Sequence, residues 1–138
     1  MLRVPIAALA VVVLAVSGCG SDADDREDVE SAVRDYYTGF ASGDADKACD
    51  QLSTQVKEAL KDTSKAKDCQ EAILKARQAP EVKKYLPRLR DARVESVKVE
   101  GSNATAKVSA IGQQTDVTLV KEGDDWKIEG PIDDTSGE

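Results

Sequence analysis

Thiols, phenols and clustered carboxylates are the residues of this chain that could do chemistry. The thiols are Cys19, Cys49 and Cys69. They form no C-x-x-C motif, and the 138 residues include no histidine that could activate a thiolate or complete the usual zinc set. Tyr36 and Tyr37 are adjacent, with Phe40 three residues on. Two tyrosines on an apolar helix face read either as core with hydroxyls at its rim or as the polar edge of a pocket. Glu122-Gly123-Asp124-Asp125 gathers carboxylates but lacks the spaced ligands of an EF-hand loop, so turn solvation is the expectation and no metal residue is assigned. Trp126 follows this turn and reads as a plug of the core or as a surface on which a ligand stacks. Glycine-rich phosphate loops and nucleophile elbows are absent, and no residue is assigned a catalytic role.

The elements that must position these residues follow from periodicity. Val29, Ala32, Val33, Tyr36, Tyr37 and Phe40 recur at helical spacing, acids Asp25, Glu27 and Asp28 occupy the first turn, and Gly43 is placed to end the helix. Asp44 can cap a second helix carrying Ala45, Ala48, Cys49 and Leu52, with a break at Ser53-Thr54 before Val56, Ala59 and Leu60. Asp68 and Glu71 make a capping-box-like start for a third, whose stripe is Cys69, Ala72, Ile73 and Ala76. Pro80 ends it, and one further helical turn fits before Pro87. Beyond Asp91 the period becomes alternating. Val94 to Glu100, Ala104 to Ile111, Thr115 to Lys121 and Trp126 to Glu129 are strands, and the short turns between them imply an antiparallel meander. Ala104, Ala106, Val108 and Ala110 share one face of the second strand. Such small residues leave room for a helix or a ligand, so the space between the first helix and this face is either a pocket lined by Tyr36, Tyr37, Phe40, Val108 and Trp126 or a closed core.

The first residues carry an address. Arg3 is followed by an uncharged apolar run from Val4 to Val16, and no charge returns before Asp22. The run is shorter than the roughly 20 apolar residues of a spanning helix, which favours a cleaved signal over a retained anchor. Val16-Ser17-Gly18-Cys19 resembles the lipobox of bacterial lipoprotein signal peptides, an aliphatic residue, two small residues and then the cysteine that receives the lipid. That resemblance implies residues 1–18 as a cleaved signal, and Cys19 as a lipidated N-terminus on the extracytoplasmic face of the cell membrane. Plain secretion through the same small residues is the rival. By composition residues 19–25 form a polar tether, 26–132 one compact domain and 133–138 a polar tail. In an exported domain Cys49 and Cys69 are expected to pair, since both lie on apolar helical faces and the compartment is oxidising. The net charge is −7, and losing Arg3 makes it −8. An acidic chain repels phosphate backbones, so no nucleic-acid partner is expected. Asp44 to Arg90 is mildly basic, either as a solvated helical face or as one that meets anionic headgroups.

Helices first, then an antiparallel sheet of long strands, resembles the nuclear transport factor 2-like (SnoaL-like, cystatin-like) α+β cone. The residues that carry the resemblance are Val33-Arg34-Asp35-Tyr36-Tyr37-Thr38-Gly39-Phe40-Ala41-Ser42-Gly43-Asp44 with Ala48-Cys49, and the hairpin Val117 to Ile128. The motifs are similar to those of small exported actinobacterial lipoprotein domains. The resemblance implies N-terminal helices packed on a curved four-stranded sheet that encloses a pocket. It does not fix function, since the cone hosts isomerases, dehydratases and pure binding modules. Histidine-dependent dehydratase sites are excluded by composition. An isomerase-type site would need Tyr36 or Tyr37 beside an acid such as Asp116 in one apolar pocket. The reading is therefore a non-catalytic module of the cell envelope, tethered to the membrane through Cys19, that binds a small apolar ligand or an envelope protein without a cofactor. A cell-surface isomerase, lyase or hydrolase and a structural subunit of an envelope complex are the alternatives.

Overall fold

The computed structural model describes residues 20–130, with side chains from residue 23 onward. The signal segment, Cys19 and the tail at 133–138 lie outside the described residues. The order is α1 (Gly20–Ser42), α2 (Ala45–Asp50), α3 (Thr54–Ser64), α4 (Cys69–Gln78), α5 (Pro80–Lys83), α6 (Leu86–Leu89), then β1 (Arg93–Glu100), β2 (Asn103–Ala110), β3 (Gln113–Glu122) and β4 (Asp125–Gly130). The strands form one curved, unclosed antiparallel meander in sequence order, as expected of an α+β cone.

Each helix boundary has a local cause. α1 stops at Gly43, whose φ of 85° only glycine adopts cheaply, and the N–H groups of Gly43 and Asp44 both donate to Gly39 O. Asp44, Ser53 and Asp68 cap α2, α3 and α4, accepting from Lys47, Val56 and Glu71 N–H at 3.1, 3.2 and 2.8 Å. Glu71 reaches back to Lys67 N–H, one residue before the usual capping-box donor. Pro80 and Pro87 both sit in the first turn of a short helix, where a missing N–H costs nothing. They start α5 and α6 rather than merely ending what precedes them.

One expectation is corrected at the N-terminal end. Residues 20–25, read from composition as a tether, are the opening turns of α1. Asp25 is tied to the sheet: its carboxylate accepts from Trp126 Nε1 at 3.1 Å and pairs with Lys121 Nζ at 3.2 Å. Polarity alone did not distinguish a tether from a solvated helix end.

The core lies between α1 and the concave face of the sheet. Val29, Val33 and Tyr36 meet Ala104, Ala106 and Val108 of β2, Val117 and Leu119 of β3, and Trp126 and Ile128 of β4. A bulge between Val94 and Ser96 of β1 lets Val94 and Val97, three residues apart, both pack on this core. The outer edge of β4 is covered. Leu52 bridges to Ile128, with Ser53 N–H donating to Ile128 O at 2.9 Å and Ile128 N–H to Gln51 O at 2.7 Å.

Candidate functional site

The hollow with binding character lies beside the helix–sheet core rather than inside it. It has a volume of ≈ 390 Å³. α1 contributes Tyr36, Tyr37 and Phe40, and α4 faces them with Ala72, Ile73 and Ala76. Val82 of α5, Tyr85 just before α6 and Leu89 of α6 form a further wall, and Leu60 of α3 and Ile111 complete the lining. Ala72 and Ala76 are the small side chains that leave the space, so the vacant small-residue stripe belongs to α4. That of β2 is filled by α1.

Three of the five residues expected to line a pocket are thereby brought together, and two are not. Tyr36, Tyr37 and Phe40 form one aromatic cluster. The Tyr36 and Tyr37 rings meet edge to face at 5.5 Å, and Phe40 lies 6.1 Å from Tyr36. Val108 and Trp126 are core, at 1 % and 3 % exposure. Val108 sits under α1, and the indole N–H of Trp126 is committed to Asp25. Periodicity identified which faces are buried but not which partner covers each. The α5–α6 wall was missed because Pro80 to Arg90 has two prolines and a sparse apolar signal, of which Val82, Tyr85 and Leu86 were read as one helical turn and Leu89 was not used.

Polarity in the cavity comes from phenols. Burial pushes the Tyr37 hydroxyl above its ordinary pKa, which keeps it a protonated donor. None of the lining residues is a carboxylate or a cation. Asp116 is exposed on β3, next to the buried Val117 and opposite Lys107 of β2, so it does not approach the tyrosines.

The cavity wall is braced by two cross-links. Arg77 of α4 donates from Nε to Phe40 O at 2.7 Å and from Nη2 to Ala41 O at 3.2 Å, satisfying carbonyls at the end of α1. A Cβ on Gly43 would stand 2.9 Å from Arg77 Nη1, a second reason for glycine there. Cys49 of α2 and Cys69 of α4 form a disulfide with Cα atoms 6.1 Å apart, as expected.

A second concavity of ≈ 400 Å³ has the opposite character, with Asp28, Asp35, Asp50, Asp124 and Asp125 around the edge of Trp126. No group of three or more potential ligands is arranged to hold a metal among the described residues. Nor is any helix among them long and apolar enough to cross a membrane.

Residues 24–129 match the model of a family described as "putative lumazine-binding", and the chain belongs to that family, within the nuclear transport factor 2-like superfamily. No curated protein and no solved structure matches it.

Proposed function

We propose that this member of the family is a non-catalytic module that holds a small, flat, uncharged molecule between α1 and the α4–α6 wall. It works from the outer face of the membrane, on a lipid carried by Cys19. The observation that carries the reading is the lining: aromatic and aliphatic side chains with phenol hydroxyls and no carboxylate or cation. A charged ligand would enter such a site without a partner, at a cost of several kcal/mol, on the order of the desolvation of an unpaired charge. A planar ring meets Tyr36, Tyr37 and Phe40 by stacking or edge contact, and phenols at the boundary can bond a carbonyl or N–H. Lumazine, the flat bicyclic heterocycle in the family description, is of this kind. Proton-transfer catalysis would need a carboxylate beside a tyrosine, and the strand acid considered for that role, Asp116, is exposed.

The anchor rests on the signal pattern ending at Cys19. Cys19→Ala is expected to move the protein out of the detergent phase. Unchanged partitioning of that variant would refute the lipid attachment. For the site, native mass spectrometry of protein taken from its own membrane should show a retained small molecule. Ala76→Trp, which fills the mouth of the cavity from an exposed position, should abolish it. Retention in that variant would place the ligand elsewhere.

A further inference from the structure

The β2–β3 hairpin breaks a local rule at the cavity wall. Ala110 pairs with Gln113, leaving Ile111 and Gly112 as a two-residue turn with φ values of 56° and 74°. Turns with positive φ at both central residues favour Asn-Gly or Gly-Gly, and a β-branched residue in that region is an outlier. The other two hairpins need positive φ only at their first turn position and put glycine there, Gly101 at φ 61° and Gly123 at φ 64°. Ile111 thus occupies a conformation its side chain disfavours, and such strain is retained where the side chain has a task.

Its position shows which task. Ile111 lines the aromatic cavity together with Tyr85 and Leu89. It also lines a separate groove whose walls carry Arg88, Asp91, Arg93 and Glu95. The same side chain therefore stands between an apolar chamber and a charged one. We propose that Ile111 is an apolar partition, held at a strained turn, that keeps the charged groove out of the binding cavity and selects ligands whose end at this turn is uncharged. The inference rests on the small-molecule reading above. Asparagine would suit the backbone and open the partition. Leucine would keep it closed without β-branching.

Two fluorescent probes of similar shape test this, N-phenyl-1-naphthylamine, which is uncharged, and 8-anilinonaphthalene-1-sulfonate, which carries a sulfonate. The wild-type protein should bind the uncharged probe at least about tenfold more tightly. In Ile111→Asn that preference should collapse toward parity, because the sulfonate gains access to Arg88 and Arg93, while Ile111→Leu preserves it. The melting midpoint of Ile111→Asn should equal or exceed that of the wild type, by up to roughly 4–8 °C if relief of strain outweighs the lost burial. A preference unchanged in Ile111→Asn, or a midpoint clearly below wild type, overturns the partition and leaves the binding site standing. Failure of the wild type to bind either probe overturns the binding site and the partition together.

Discussion

Gly39 shows how one missing side chain shapes the wall. A Cβ there would lie 2.8 Å from Ala48 N and 3.0 Å from Asp44 O, so α1 and α2 approach through backbone. Alanine would gain about 1 kcal/mol of helix propensity, but overpacking against main chain costs roughly 1–3 kcal/mol. Gly39→Ala is therefore expected to lower stability by roughly 1 kcal/mol in urea denaturation; a stabilised variant would contradict the close approach. Asp25 is the second telling residue. Its carboxyl is held below its ordinary value of 3.8, first by the Trp126 indole N–H and then by Lys121. A depressed folded value means that the stabilisation is fully present above about pH 4 and is lost as pH falls through the lower folded value. Asp25→Asn should melt below wild type at neutral pH, with the two curves converging as the pH falls below the ordinary carboxylate value; a constant gap across that range would rule out the linkage. Neither residue's role was legible in the sequence. Gly39 sits unmarked inside a helical pattern, and Asp25 looks like one more acid in a polar run.

At the scale of elements, the disulfide decides how firmly the cavity floor is held. It joins α2 to α4 across a separation of 20 residues. Closing a loop of that length is worth about 3 kcal/mol in the chain-entropy model. Replacing both cysteines with alanine should cost about that much, and non-reducing peptide maps of the native protein should recover the two segments joined. Free alkylation of both thiols would refute the bridge. This staple was legible, because Cys49 and Cys69 each fall on the apolar stripe of a helix whose cap is written in the sequence. The hairpins were legible for the same local reason, through Gly101, Gly112 and Gly123. Boundaries moved where an apolar residue did a turn's work: Ile111, read as the last residue of the second strand, belongs to the turn after it. The site itself was half legible. The aromatic face of α1 was plain, but its partner was not, since Val29, Val33 and Tyr36 already fill the small-residue face of β2. The phenyl and phenol rings beyond that contact meet α4 and the two proline-led turns instead.

The whole molecule combines a tightly anchored frame with a cavity at its side. If Cys19 carries lipid, only residues 20–24 separate it from Asp25, a span of about 8 Å as helix, so the domain sits close to the membrane surface. The net negative charge of the chain disfavours adhesion to anionic headgroups, so the proposed attachment would rest on the lipid rather than on electrostatics. Within that frame the central claim is that the chamber between α1 and α4–α6 is where a small uncharged molecule binds. The most direct test is chemical-shift mapping by NMR during titration with N-phenyl-1-naphthylamine. The account predicts saturable shifts centred on Tyr36, Tyr37, Phe40, Ala76, Val82 and Leu89, abolished in Ala76→Trp. Shifts centred on the acidic concavity around Asp28, Asp124 and Trp126, or no saturable shifts, would contradict it.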